Sequence, residues 1–519
     1  MVRLAEHAYW AKKQNQIGAL VSLDIAKAYD SVNRDLLKFP LGVYGVSDRM
    51  LGFLNNFLSD RYGCVHLFGK ESERIRYERG VPQGAVLTPV LFNMVINLIC
   101  HDVTVSKSLF ADDVNLWFFD ESRSRVVSEM NRALGAMHSN ADMLLLRFAV
   151  QKCKVLWFFD DEHDPGPDDD ASGVDESKHA QSTLLHMGGV PLSIERNLRF
   201  LGVYFDQKLS FAYHIDQLMT KCNQRMWMIK QYCKYFSRRD VLEMYHLWIR
   251  SLLDYACVVY NMAAARVLTK IDSFQRKCLR VLLHSGQLCS GTTIEVETGF
   301  CPLDIRRQQL GSAYAIKRLS LDSGVAIREC IQQARTRITS VRRNDMSCMT
   351  KVFYMMTDPR YPLRCDPTTF ADDAEVQEET MEWALEAWKY QVQTAESTQL
   401  TRCKPWDSFE LSLVRISYPS ELPKQVERTW HRVRCRALHL QDTKWRKRFP
   451  DADDPWCRFC DRDHETIEHI LLDCPTVDLL SSLPLQDINT LQEFYEAIQT
   501  SRDNILKLYL RLRDFNLHK

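Results

Sequence analysis

Two adjacent carboxylates, Asp112 and Asp113, sit between the apolar runs Leu109-Phe110-Ala111 and Val114-Asn115-Leu116-Trp117. An acidic pair flanked by β-formers fits a tight hairpin whose strands end near Phe110 and resume at Val114. Negative charges held side by side repel unless a divalent cation neutralises them, and hard oxygen ligands suit Mg²⁺ or Mn²⁺. An Asp-rich surface turn carries the same local sequence. The surroundings of the pair decide between the two.

Ile17 to Leu23 reads as a strand, and it runs straight into Asp24. An acid at the end of a buried strand is costly to desolvate unless it is paired or metal-bound; a helix N-cap is the other role open to it. Residues 33–61 carry helical periodicity broken near Pro40-Leu41-Gly42, and Cys64–Phe68 with Glu73–Tyr77 reads as a hairpin around Gly69-Lys70. Gly80-Val81-Pro82-Gln83-Gly84 then forms a loop, ahead of a helix starting around Val86, in which the backbone can approach a ligand closely. The 21 residues from Gly80 to Cys100 bear no charge, yet Pro82, Gln83, Pro89, Asn93 and Asn97 make them too polar for a membrane span.

These segments, taken in order, resemble the reverse transcriptases of non-LTR, LINE-like retrotransposons. Asp24-Ile25-Ala26-Lys27-Ala28-Tyr29-Asp30 is similar to the first palm motif, Gly80 to Phe92 to the second, and Phe110-Ala111-Asp112-Asp113 to the third. Gln151 to Leu156 is similar to the fourth motif, and Leu198 to Asp206 to the fifth, a primer-grip hairpin with Leu201-Gly202 at its turn. The resemblance implies an α+β fold, a polymerase palm of antiparallel sheet and packed helices followed by a helical thumb. It implies RNA-directed DNA polymerase activity on an RNA template and DNA primer, with dNTPs as substrates. Asp24 and Asp112 would bridge two cations, with Asp113 more peripheral. Tyr29 would crowd a ribose 2′-hydroxyl, which sets the chain apart from RNA-dependent RNA polymerases with a similar palm. Gln83 and Gly84 would line the nucleotide pocket, and Lys152 would meet the triphosphate. The Asn that the family places upstream of that Lys is missing, with Ala149 and Val150 nearby instead.

The chain starts only 23 residues before Asp24, so an N-terminally truncated domain with partial fingers and no endonuclease is expected. The alternative is a catalytically inactive retroelement remnant that binds nucleic acid.

The expected organisation is a palm over 1–208, a thumb over 209–321, a helical linker region over 322–423 and a zinc-finger tail over 424–519. Asp160 to Lys178 interrupts the palm with nine carboxylates; it reads as a solvated insertion, or as a metal site with His163 and His179. Basic residues punctuate the thumb at Arg225, Lys230, Lys234, Arg238, Arg239, Arg276, Lys277 and Arg280, as a phosphate-binding stripe or as an ordinary helix face. No carboxylate set after the thumb has the strand context of an RNase H domain, and that domain is expected to be absent.

With 67 basic and 67 acidic residues the chain has no global positive field, so any nucleic-acid surface has to be local. Lys424 to Arg448 holds nine Lys or Arg against two acids. Arg428, Arg432, Arg434, Arg436, Lys444, Arg446, Lys447 and Arg448, interleaved with Trp430, make either a phosphate-and-stacking patch or a solvated helix face. Behind it, Cys457, Cys460, His469 and Cys474 have the spacing of a tetrahedral Zn²⁺ knuckle. The remaining cysteines are scattered and no secretory leader is evident, so reduced thiols and an intracellular ribonucleoprotein, nuclear and cytoplasmic, are expected.

Overall fold

The structure, a computed structural model, describes residues 1–159, 185–233, 235–285, 289–320, 325–336, 346–356, 373–394, 424–434, 456–483 and 501–515, with a few isolated positions between 488 and 498. The acidic segment 160–178, both its histidines, Lys234, Arg436, Lys444, Arg446, Lys447 and Arg448 lie outside the described residues. So do the side chains of Arg428 and Arg434. The chain divides into two compact units, Met1–His214 and Ile215–Lys519.

The first unit is built on a five-stranded sheet. Its helices are α1 (Val2–Lys13), α2 (Ala28–Ser31), α3 (Lys38–Val43), α4 (Asp48–Leu58), α5 (Thr88–Ile99) and α6 (Arg123–Met143). Its strands are β1 (Ile17–Leu23), β2 (Tyr62–Gly63), β3 (His66–Leu67), β4 (Lys70–Glu71), β5 (Ile75–Arg76), β6 (Ser106–Phe110), β7 (Asp113–Asp120), β8 (Lys154–Phe158), β9 (His186–Met187), β10 (Val190–Pro191), β11 (Ser193–Ile194), β12 (Asn197–Phe200) and β13 (Val203–Asp206). The main sheet has the order β11-β8-β1-β7-β6, antiparallel throughout except that β11 runs parallel to β8.

Strand alternation gives the sheet two apolar faces. Ala19, Val21 and Leu23 of β1, Val114 and Leu116 of β7, and Val155 and Trp157 of β8 join one core with α5 and α6. Each such large side chain contributes about 1.5–3 kcal/mol when fully buried. The opposite face carries Leu20 and Trp117, which pair across β1 and β7. There α1 packs: the Trp117 indole N–H donates to His7 Nδ1 at 3.2 Å, and Arg3 stacks on the Trp117 ring. Burial and the nearby Arg3 charge push His7 down to about 4, so it is a neutral acceptor at pH 7.

Two local expectations are corrected. The helix α3 runs through Pro40-Leu41-Gly42 instead of breaking there. Pro40 sits in its first turn, where an N–H has no intrahelical partner to lose. The second hairpin strand resumes at Asp113 and not Val114, so Asp113 belongs to the ladder.

The second unit is helical among its described residues. It comprises α7 (Ala212–Tyr232, entered from the first unit), α8 (Arg238–Tyr245), a π-helical turn His246–Arg250 leading into α9 (Ser251–Asp254), α10 (Cys257–Tyr260), α11 (Ala265–Leu282), α12 (Gly291–Thr298), α13 (Leu303–Ser320), α14 (Val325–Thr336), α15 (Cys348–Met356) and α16 (Asp373–Thr394). Its interior holds charge. Arg250 bonds Asp254, Gln275 and the Cys301 carbonyl, and Glu295, pushed up to about 7 by burial, takes Arg276 at 3.0 Å. A smaller core of its own gathers the helices Lys424–Arg434 and Arg502–Asp514 around residues 457–483.

Candidate functional site

The carboxylates of the first unit are brought together by strand register. β6 and β7 close a two-residue turn, Ala111-Asp112, with Phe110 paired to Asp113. Ala111 adopts φ +52°. Left-handed backbone at a residue with a Cβ costs about 1–3 kcal/mol and persists where the surroundings impose it. The β1–β7 ladder ends on the pair Leu23–Val114, so Asp24 follows β1 directly at the end of the sheet where β7 begins with Asp113. The three carboxylates interact: burial first, then the charges of Asp112 and Asp24, raise the Asp113 carboxyl above the usual range, and Arg199 on β12 works the other way. Their oxygens do not all come within 4.8 Å of one another.

Two polar oxygens on this face are incompletely satisfied. Asp24 Oδ2 is buried without a well-formed hydrogen bond, and its ion-pair partner is the exposed Lys152 Nζ at 3.1 Å. Asn115 lies two residues along β7 from Asp113, opposite Ser22, and is 2% exposed with Oδ1 unpaired. A buried acceptor without a donor costs about 1–3 kcal/mol. A hydrated divalent cation supplies what both atoms lack, so the residues fit Mg²⁺ or Mn²⁺.

The loop before α5 is tied to the same end of the sheet. Val81 N–H donates to the Tyr29 carbonyl at 2.9 Å and Gly80 N–H to that of Val32 at 2.8 Å. Gly80 has φ +86°, and a Cβ there would lie 2.8 Å from Asp30 Cα. Only glycine permits this approach. Arg34 Nε clamps the Gly80 carbonyl at 2.9 Å, and Gln83 Nε2 donates to Asp30 Oδ1 at 3.1 Å. Gly84 is exposed, with φ +88°. Tyr29 is half-buried, its ring 4.5 Å from that of Phe92. Leu201 (φ +47°) and Gly202 (φ +89°) make the two-residue turn joining β12 and β13, the backbone signs of a type I′ hairpin.

Asp24, Asp112, Asp113 and Lys152 therefore share one neighbourhood, and Tyr29, Gln83 and Gly84 share a second, joined to it through β1 and α2. Sequence reasoning missed Asn115, Arg199, Asp30 and Arg34. Asn115 carried a usable signal, a polar residue at the alternation position of Asp113 inside a buried strand. Arg199 carried none, because its approach depends on how the β12–β13 hairpin lies.

A raised Asp113 pKa has a definite sign. The native state binds that proton more tightly than the unfolded chain, so the contribution favours folding at low pH and is lost as pH rises through the carboxylate range. At neutral pH the repulsion remains until a cation relieves it. Metal-free Asp113→Asn is expected to melt a few degrees above metal-free wild type at neutral pH. The gap should close in acid, and Mg²⁺ should raise the wild type alone; thermal unfolding with and without EDTA checks this.

In the second unit Cys457, Cys460, His469 and Cys474 place all four ligand atoms within 4.8 Å of one another. Cys457 Sγ lies 3.9 Å from Cys474 Sγ, and Cys460 Sγ 3.1 Å from His469 Nε2. The turn after Cys460 uses Asp461 at φ +54°, and a π-helical turn, His469–Asp473, aims the second pair. Arg458 clasps the buried Glu465 across the knuckle. Burial pushes the Cys457 thiol up to about 12, and His469 Nδ1 is buried without a partner. Three sulfurs and an imidazole in this state suit Zn²⁺.

Several described residues of the basic stretches are engaged within the protein. Trp430 is 1% exposed in the core beside the knuckle, so it is not offered to a base. Arg432 Nε donates to the His284 carbonyl at 3.2 Å. Among the thumb-region positions, Arg225 bonds the Trp248 carbonyl, Arg238 the Glu297 carbonyl, Arg276 Glu295, and Arg280 the Cys289 carbonyl.

Comparison with known proteins bears on the first unit. Residues 3–205 match the family described as reverse transcriptase (RNA-dependent DNA polymerase). The chain is 23% identical over 314 residues to a probable RNA-directed DNA polymerase from transposon BS of Drosophila melanogaster, covering 56% of this chain and 32% of the relative. It is 26% identical over 327 residues to the RNA-directed DNA polymerase from mobile element jockey of the same species, covering 60% and 33%. A 78-residue stretch is 36% identical to a Pol polyprotein from the type-1 retrotransposable element R2 of Popillia japonica, covering 15% and 13%. The chain spans about a third of the length of the first two relatives. These matches place the likeness in residues 3–205, which resemble a reverse transcriptase domain. More particularly, the relatives are named as RNA-directed DNA polymerases of mobile elements and as Pol polyproteins of retrotransposable elements.

Proposed function

We propose that this chain is an RNA-directed DNA polymerase of a non-LTR retrotransposon, joining dNTPs to a primer 3′-hydroxyl on an RNA template. Residues 1–208 act as its palm with partial fingers, 209–321 as a helical thumb, 322–423 as a helical connection and 424–519 as a zinc-bearing tail. The observation that carries the reading is that Asp24, directly after the Leu23–Val114 pair, and Asp112, in the adjoining turn, both act by charge on the Asp113 carboxyl.

Asp24, Asp112 and Asp113 would hold the divalent cations. Cations bound there would supply charge stabilisation to the attacking 3′-oxygen and the leaving pyrophosphate. Lys152, beside Asp24, is placed to meet phosphate charge once a cation takes over that carboxylate. Gln83 and Gly84 line the nucleotide position, held by the Gln83–Asp30 bond. Leu201 and Gly202 form the turn that backs the primer end. Among the described residues no helix is long and apolar enough to cross a membrane.

Primer extension by the full chain on an RNA template, with dNTPs and Mg²⁺, tests the reading; incorporation that survives removal of all divalent cations refutes it. Tyr29 packs on Phe92 with its ring half exposed, so it can act as a wall against a 2′-hydroxyl. Tyr29→Ala is expected to weaken discrimination against rNTPs by roughly 10- to 100-fold, read as the ratio of kcat/KM for a dNTP and its rNTP. An unchanged ratio removes Tyr29 from that role.

A further inference from the structure

The hairpin from Tyr62 to Arg76 carries donors that nucleotidyl transfer does not use. Cys64 lies in the two-residue break between β2 and β3, two residues before His66. The turn Phe68-Gly69, with φ +47° and +75°, fixes the register Leu67 to Lys70 and so sets Glu71 directly opposite His66. A thiol, an imidazole and a carboxylate thereby converge, with all three ligand atoms within 4.8 Å of one another and His66 Nε2 at 2.9 Å from Glu71 Oε1. Among the described residues only one other group of three or more such side chains meets that distance, and it is the Cys457–Cys474 knuckle.

The hairpin also lacks other support. Its ladder consists of two two-residue pairings, β2 with β5 and β3 with β4, bridged by Val65 and Ser72. Tyr62, Val65, Leu67, Phe68, Ile75 and Tyr77 are all more than half exposed, Phe68 at 97%. A two-stranded ribbon without a buried face is marginal in water. The exposed His66–Glu71 pair adds at most about 1 kcal/mol and gives Cys64 no role.

We infer that Cys64, His66 and Glu71 form a second transition-metal site that takes Zn²⁺ and staples this hairpin. Sulfur, nitrogen and oxygen donors together suit Zn²⁺ and not Mg²⁺, so the site is chemically distinct from the Asp24–Asp112–Asp113 set. Three protein ligands leave one tetrahedral position for water. Closing the strands through a metal raises the stability of the ribbon, because the ligands are not preassembled in the unfolded chain. This inference stands independently of the polymerase reading.

The test is Zn²⁺ stoichiometry of the full chain after metal stripping, with trypsin cleavage at Lys70, Arg74 and Arg76 followed in parallel. Wild type is expected to bind two equivalents, and Zn²⁺ should slow cleavage of the hairpin. Cys64→Ser and His66→Asn should each bind one equivalent and lose the protection, while the Cys457→Ser/Cys460→Ser double variant should bind one and keep it. Glu71→Gln should weaken the second equivalent by about tenfold or more. Cys64 and His66 are exposed, so their replacement leaves the fold intact. One equivalent in wild type, or two retained by Cys64→Ser, overturns the inference, as does protection by Mg²⁺ alone.

Discussion

Stripping zinc from the tail, or replacing Cys457 and Cys460 with Ser, is expected to unfold the tail elements 424–434, 456–483 and 501–515 while residues 1–214 keep their fold. Cys457 and Cys474 are members of the tail's own apolar core, alongside Val426, Trp430, Ile470, Leu471, Ile505 and Leu508. Without a cation that core encloses buried thiols and an imidazole whose Nδ1 has no partner. Few other elements hold it: the knuckle residues 456–474 are turns, one isolated bridge between Trp456 and His464, and a π-helical turn. Structural zinc in finger peptides contributes on the order of 10–16 kcal/mol of folding free energy, more than a core of this size can supply. Limited proteolysis checks the outcome, with cleavage after Lys424 to Arg434 appearing on chelation. An identical digestion pattern with and without zinc would show that the tail stands on its packing alone.

The second large effect is on catalysis. Asp24→Asn is expected to lower kcat by on the order of 10³-fold, about 4 kcal/mol, with the dNTP KM changed far less. The substitution keeps the shape of the side chain but removes the carboxylate charge, so the cost falls on cation binding in the transition state. Fold stability should not suffer, since Asp24 has only an exposed Lys152 as counter-charge. A variant that loses activity in proportion to its loss of folded protein would instead make Asp24 a structural residue.

Much of the first unit was legible because its strands alternate cleanly. The strand over Ile17–Leu23 has the ends expected from its apolar text, and the hairpin at Asp112 follows from two β-forming runs separated by turn residues. Register was not legible. That Asp24 comes to the end of the sheet where β7 begins with Asp113, and that Arg199 acts on the Asp113 carboxyl, depends on pairing between segments about 90 residues apart. Pro40 looked like a helix breaker because its position within the helix, in the first turn, is visible only once the helix start is known.

The tail teaches a different lesson. Composition offered Lys424–Arg448 either as a nucleic-acid patch or as a helix face; within its described part, Val426, Trp430 and Val433 fall at spacings of four and three and form a buried stripe. Periodicity made that stripe legible. The basic residues of α7, α8 and α11 show a related limit, since Arg225, Arg238, Arg276 and Arg280 are spent on carbonyls and on Glu295. A sequence displays charge, but not the acceptors that fold back onto it.

The most direct measurement is single-nucleotide incorporation by the full chain on an RNA-templated primer with Mg²⁺, comparing wild type with Asp112→Asn. Asp112 sits in the β6–β7 turn outside the ladder, so the variant should fold as wild type does. Template-dependent incorporation by wild type, lost in Asp112→Asn, is the expected result. Equal incorporation by the two proteins, or none by either, would contradict a polymerase built on these carboxylates.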